Sequence, residues 1–140
     1  NPNIIEKFYS IIDKSKPDFI SFSWEVGNKI HNPSCNKGWL YGSHGVAGCH
    51  SVSLIIKKDL HYKYGYYSNL FPIYADHLFV KTCIYNGAIV FRCKDFVAGD
   101  YSGTGFSSEN YLGNLLEFFR VQMVTENSLT LQIVIFLLKL

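Results

Sequence analysis

Residues 17–26, with the sequence PDFISFSWEV, give the clearest indication of the fold. The Pro17–Asp18 pair interrupts any preceding helix. The eight residues that follow combine aromatic and branched side chains, which suit a pleated and largely buried surface. The run therefore predicts a buried β-strand over Phe19–Val26.

A helix is predicted on the N-terminal side of this strand. Apolar residues recur at three- and four-residue intervals from Ile4 to Ile12. Asn3 and Glu6 also have the spacing of a capping box, which places the start of the helix just after Asn3. The helix should end near Lys14.

On the C-terminal side, residues 27–48 are rich in Asn, Pro, Ser and Gly and lose the apolar periodicity. This composition predicts a long loop, and long loops in compact domains are often functional. A second strand is predicted at Val52–Ile56. A short helix should open at Lys57 and end at Gly65.

The remaining elements alternate between helix and strand. Helical spacing predicts a helix over Ala75–Asn86, stopped by the following glycine, and a longer one from about Ser107 to Glu126. Extended segments are predicted at 88–91 and 95–98, before a glycine-rich loop. The alternation indicates an α/β fold, with a small mixed sheet and flanking helices.

We divide the chain into residues 1–127, which form the domain, and an apolar tail over 128–140. The tail is only about a dozen residues long, against the roughly 20 that a membrane-spanning helix needs. Three outcomes stay open: docking on the domain, peripheral contact with a membrane surface, or the start of a longer helix. The expected location is cytoplasmic, with the inner face of the membrane as the site of any such contact.

Composition narrows the class of protein. The 140 residues are 48% hydrophobic and 17% charged, which fits one compact domain. The net charge of +2 comes from interspersed charges and forms no basic patch, so we expect no nucleic-acid partner. Cys35, Cys49, Cys83 and Cys93 include no CxxC pair, so four free thiols are expected and a metal site is not.

Four stretches, in this order, resemble part of the family 2 glycosyltransferases of GT-A fold. They are residues 1–21, GCHS at 48–51 with LIIKKDL at 54–60, YYSN at 66–69 through IYADH at 73–77, and DYSGTGFSS at 100–108. In the family, these segments follow the metal-binding aspartate motif. The second stretch departs from the usual Cys-His-Gln because Ser51 replaces the glutamine.

The resemblance implies the C-terminal, acceptor-side half of a GT-A domain. It implies an inverting enzyme that moves a sugar from a nucleotide-sugar donor to a glycan or lipid-linked acceptor in polysaccharide biosynthesis. Asp76, which ends the Ala-Asp segment, is implied to be the catalytic base. From the residues alone, the favoured interpretation of Asp76 is a carboxylate that stabilises the start of a helix.

The donor-binding half is expected to be missing. No Asp-x-Asp occurs in the chain, and no glycine-rich turn from strand to helix offers a phosphate cradle. The complete enzyme would use a divalent metal, Mg or Mn, whose ligands are not in this chain. The chain alone is therefore expected to be inactive.

Six further residues are candidates for binding the acceptor: His50, Trp39, Tyr74, Gly103, Gly105 and Ser107. His50 can orient a sugar or phosphate, or simply be a half-buried histidine. The two aromatic residues suit stacking on sugar rings, although tyrosines of this kind also form core. The glycine-serine loop either admits a ligand close to the backbone or is a plain turn.

A second class of function stays open, namely a non-catalytic carbohydrate-binding or interaction module. It would use Trp39 and the tyrosine-rich segment at 64–74. An Asp-x-Asp motif after an upstream strand would favour the enzyme, and its absence there would favour the module.

Overall fold

The computed structural model describes residues 3–33, 50–105 and 109–140. Within these ranges the chain forms five α-helices and four β-strands. They are α1 (Ile4–Ser15), β1 (Phe19–Val26), β2 (Lys29–His31), β3 (Leu54–Ile56), α2 (Asp59–Tyr64), α3 (Ala75–Tyr85), β4 (Val90–Tyr101), α4 (Tyr111–Thr125) and α5 (Leu129–Lys139). The predicted α/β class is confirmed.

Strand β1 lies at the centre of a mixed sheet. β4 pairs with it in parallel along its whole length, from Phe19–Val90 to Val26–Tyr101. β3 and β2 pair with it antiparallel, at Phe19–Ser21 and at Trp24–Val26 respectively. Because β1 and β4 run in parallel, their carboxyl ends emerge at the same edge of the sheet.

Both faces of β1 are covered by helices. Phe19 packs with buried residues of α2 and α3, namely Leu60, Phe79, Val80 and Cys83. Ile20 and Phe22 face the other way and pack with Ile11 of α1 and Cys93 of β4. Side chains alternate between the two faces of a strand, so a strand covered on both faces is buried along its covered part, including the small polar side chains of Ser21 and Ser23. This explains why PDFISFSWEV determines the fold.

Strand β2 falls inside the segment predicted to be a loop, and that prediction was wrong for Lys29–His31. Gly27 and Asn28 form a two-residue turn, with Gly27 at φ 58°, that returns the chain antiparallel to β1. Gly-Asn between extended segments is a known hairpin signal. The rest of the predicted loop, residues 34–48, lies outside the described residues.

Other boundaries also move. The strand predicted at Val52–Ile56 begins only at Leu54, because Ser51–Ser53 forms a turn of 3₁₀-helix. The two predicted extended segments form one strand, β4, which runs on through the predicted glycine loop to Tyr101.

The structure also shows how the first turns of two predicted helices are held. Of the helix predicted from about Ser107 to Glu126, the described part is α4, which starts at Tyr111; Asn110 caps it by accepting a hydrogen bond from the Gly113 amide at 2.9 Å. Helix α1 starts where it was predicted, but the Asn3 side chain does not form the predicted cap. Its first turn instead relies on the Asn3 carbonyl, which accepts from the Lys7 amide at 3.1 Å.

The apolar tail forms α5, which docks on α4. Phe136 packs on Phe119 with ring centroids 4.4 Å apart, and the Tyr111 hydroxyl donates to the Lys139 carbonyl at 2.8 Å. Docking, one of the predicted outcomes, is therefore what the structure shows. In the described part of the chain, no helix has the length and hydropathy to cross a membrane.

The thiols of Cys83 and Cys93 are free and buried, as predicted for these two residues. Burial raises the pKa of the Cys83 thiol to about 11. This thiol therefore stays protonated at neutral pH and behaves as a small apolar group of the core. Cys35 and Cys49 lie outside the described residues.

Candidate functional site

Four aromatic rings gather where β1 and β4 end. Trp24 of β1 stacks on His31 of β2, with ring centroids 5.6 Å apart and planes at 16°. His50 lies 5.9 Å from the Trp24 ring and 4.6 Å from the ring of Tyr101, the last residue of β4. We call these four residues the ring cluster. The carboxyl edge of parallel strands is a frequent place for ligand binding in α/β sheets.

The 3₁₀ turn holds His50 in the ring cluster. The backbone of this turn passes close to β4 at Gly99, where an added Cβ would lie 2.7 Å from the Val52 carbonyl oxygen. Only glycine therefore allows this close approach. The His50 carbonyl accepts from the Ser53 amide at 2.9 Å and from the Ser53 hydroxyl at 3.1 Å. The position of the His50 backbone is thus fixed by the contact of the turn with Gly99 and by the two hydrogen bonds from Ser53.

The charge state of His50 follows from its surroundings. Burial lowers its pKa, the carboxylate of Asp76 raises it by a smaller amount, and His31 lowers it slightly. His50 is therefore neutral at pH 7. Its Nδ1 accepts from the Val52 amide at 3.4 Å, which assigns the ring proton to Nε2. A neutral imidazole with Nε2–H can donate a hydrogen bond to a bound hydroxyl.

The Asp76 carboxylate acts electrostatically on two groups, His50 and Tyr67. Burial raises the pKa of the Tyr67 hydroxyl, and the Asp76 carboxylate raises it further. The Tyr67 ring itself packs on His61 and Phe79, with ring centroids 5.2 and 5.5 Å apart. The Asp76 carboxylate therefore influences the titration of His50, a residue that sequence analysis singled out separately.

Helix α4 positions the start of α3, which carries Asp76. The buried carboxylate of Glu117 accepts from the amides of Ile73 at 2.9 Å and Tyr74 at 3.1 Å. The Tyr74 hydroxyl donates to the Asn114 side chain at 2.9 Å. These bonds fix the turn from which α3 begins.

Asp76 lies in the first turn of α3, as predicted. Its Oδ1 accepts from the next amide, that of His77, at 2.7 Å. The N-cap position belongs to Tyr74, so Asp76 is not the capping residue itself. A carboxylate in this position is stabilised by the helix dipole and can keep an oxygen for a proton-donating ligand.

The other predicted site residues lie in different parts of the structure. The ring of Tyr74 packs on His77 and Phe118, at 5.0 and 5.9 Å between centroids. Gly103 and Gly105 lie just beyond β4, at the same edge as the ring cluster, with φ of 75° and 140° and open space around them. Trp39 and Ser107 lie outside the described residues.

Sequence analysis missed three members of the ring cluster and the positioning residue Glu117. Trp24 was assigned only to the core strand, and His31 and Tyr101 to loops. Their meeting depends on the parallel pairing of β1 with β4, which joins residues more than 70 positions apart. The sequence signal that could have revealed the cluster was an aromatic residue near the end of each of two parallel strands.

The described residues include no group of three or more His, Cys, Asp or Glu side chains placed to hold a metal ion. What they offer is a carboxylate, a neutral imidazole and aromatic faces. These can accept a proton, donate a hydrogen bond and stack on a sugar ring, respectively.

Comparison of the chain with protein-family models, with curated proteins and with solved structures finds no match.

Proposed function

We propose that this chain forms the acceptor side of an inverting glycosyltransferase, with Asp76 as the general base. The observation that carries the proposal is the ring cluster around His50, on which the Asp76 carboxylate acts electrostatically. The motif order that resembles family 2 enzymes supplies the reaction class. The site supplies a carboxylate at a helix start and flat apolar surfaces, which are what an acceptor sugar requires.

In this proposal the acceptor sugar stacks on the ring cluster and directs one hydroxyl toward Asp76. The hydroxyl oxygen attacks the anomeric carbon of the donor sugar while its proton passes to the Asp76 carboxylate. The bond from the anomeric carbon to the nucleotide diphosphate breaks, and the diphosphate leaves from the opposite face, which inverts the configuration. His50 donates its Nε2–H to a neighbouring acceptor oxygen and orients the sugar.

The donor-binding half would supply the nucleotide site and the ligands of the divalent metal. The metal offsets the charge that develops on the leaving diphosphate. We assign no residue of this chain to it.

A second candidate function is a carbohydrate-binding module without catalysis. The ring cluster favours it, because stacked aromatic faces bind sugars in non-catalytic proteins as well. In that case Asp76 stabilises the start of α3 and has no chemical role.

Sugar transfer distinguishes the two functions. We expect the chain, joined in one polypeptide to a donor-binding half, to transfer a labelled sugar from a nucleotide-sugar to a saccharide acceptor. The chain alone should transfer none, since it has no donor site. Saccharide binding without transfer, in a joined protein that binds the nucleotide-sugar, would contradict the enzyme and favour the module.

A further inference from the structure

Helix α5 buries a polar side chain and exposes apolar ones, which is the reverse of the usual arrangement in a surface helix. Its one amide side chain, Gln132, is only 4% exposed and accepts a hydrogen bond from Gln122 at 3.0 Å. Apart from Thr130, its exposed residues are aliphatic: Leu129, Leu131, Ile133, Val134, Leu137 and Leu138, followed by Leu140. A surface helix normally turns such residues inward.

The inner side of α5 is firmly held, so the outer face has a fixed position. Ile135 is buried, and Phe136 packs on Phe119. The Lys139 ammonium lies 4.6 Å from the centre of the Phe118 ring. Lys139 is the only charged residue of α5 and is half-buried. The outer face therefore carries no exposed charge, and Leu138, at 82% exposure, projects furthest from the domain.

The size and composition of this face discriminate between a protein and a lipid as its partner. Eleven residues at 1.5 Å each make a helix only about 16 Å long. A stable protein interface needs about 800 Å² per partner and is enriched in Tyr, Trp and Arg at its centre. The outer face of this one short helix is smaller than such an interface, and apart from Thr130 it is aliphatic. Lipid hydrocarbon has no such minimum area, because each aliphatic side chain that enters it adds to the binding.

We propose that the outer face of α5 inserts into one leaflet of a phospholipid bilayer, with the helix parallel to the surface. The binding is driven by burial of the leucine, isoleucine and valine side chains, so neutral lipid suffices. Tyr111 is exposed beside the C-terminal end of α5, where an amphipathic ring suits the headgroup layer. This inference is independent of the proposed transferase activity.

Vesicle binding of the 140-residue chain tests the inference. We expect it to float with neutral phosphatidylcholine vesicles, nearly independently of salt. The double variant Leu137→Gln/Leu138→Gln keeps the net charge and changes only exposed residues, so it should fold. It should lower the partition coefficient about tenfold or more. The control Ile30→Gln/Leu70→Gln alters two equally exposed residues away from α5 and should bind as the parent does.

Three results would overturn the inference. One is failure of the parent to bind either neutral vesicles or vesicles containing phosphatidylglycerol. Another is binding only to the anionic vesicles, abolished by salt and unchanged in the α5 variant, since charge and not α5 would then drive it. The last is a parent that forms a dimer in analytical ultracentrifugation and binds no vesicles, while the α5 variant is a monomer. That result would assign the face to a second copy of the chain. Circular dichroism checks that each variant is folded.

Discussion

Replacing Asp76 by Asn is expected to slow sugar transfer by about a hundredfold or more in the polypeptide that also contains the donor-binding half. General base catalysis contributes roughly 10² to 10⁴ in rate, and asparagine cannot take the acceptor proton. Binding of the nucleotide-sugar should barely change, because the role proposed for Asp76 is toward the acceptor. The measurement is turnover at saturating donor and acceptor, together with a separate determination of donor affinity.

The same variant separates a chemical role from a structural one. The asparagine side chain keeps an oxygen that can accept from the His77 amide, so the free energy of unfolding should fall by no more than about 1 kcal/mol. The pKa of His50 should fall further, because the Asp76 carboxylate raises it in the parent. A folded variant that retains more than about a third of the parental turnover would exclude Asp76 as the base.

Replacing Glu126 by Ala is expected to lower the free energy of unfolding by about 3 kcal/mol, through a buried charge left without its partner. Lys81 of α3 is 1% exposed, and its ammonium contacts the Glu126 carboxylate and the Gln122 side-chain oxygen. Burial lowers the pKa of Lys81, and Glu126 opposes that shift. Without Glu126, the ammonium loses the carboxylate that offsets the cost of leaving water, and the uncharged Gln122 oxygen offsets less of that cost. Urea unfolding measures the loss.

Two control variants show whether the buried charge is the cause. Lys81→Met removes the ammonium and leaves Glu126, which is 19% exposed and can regain water, so it should cost less than half as much. Glu109→Ala removes an exposed carboxylate and should change stability by at most about 0.5 kcal/mol.

The dependence on pH has a definite sign. The pKa of Lys81 is lower in the folded state than in the unfolded state, so stability rises as pH increases from the folded value toward that of a free lysine. In Glu126→Ala the folded pKa falls further, and the deficit relative to the parent should shrink toward alkaline pH. Equal losses for Glu126→Ala and Glu109→Ala would contradict the assigned role of the pair.

The helices and the central strand could be predicted because their signals are local. The spacing of apolar residues predicted α1 and α3, and the run of aromatic and branched residues predicted β1. Positions set by contacts with distant parts of the chain could not be predicted. The 3₁₀ turn at Ser51–Ser53 depends on its approach to Gly99, and only the tertiary structure shows how β4 continues past that glycine.

For the site, motif resemblance supplied Asp76 and His50, and the structure supplies their neighbours. Trp24 and Tyr101 come together only through the parallel pairing of two strands that are separated by α2, α3 and the long segment after β2. Glu117 reaches the start of α3 from 43 positions away at Tyr74, which no sequence spacing reveals. The binding roles of Trp39, Tyr74, Gly103, Gly105 and Ser107 stay predictions.

The tail shows the same division between local and tertiary information. Its composition left docking and membrane contact as alternatives. The structure shows that α5 docks through one face, with Gln132 and Ile135 inward, and still exposes leucines on the other. The two alternatives are therefore compatible in one helix.

Nuclear magnetic resonance of the isotope-labelled chain tests most directly whether a sugar binds at the ring cluster, where β1 and β4 end. The sample is titrated with a panel of methyl glycosides, and resonances of the Trp24 indole, the His50 ring and the His77 amide are followed. We predict that at least one glycoside shifts all three together and saturates at about millimolar concentration, which is typical of a single weak site. If no glycoside moves these resonances, or if saturable shifts fall only on residues remote from the ring cluster, the acceptor site is not there.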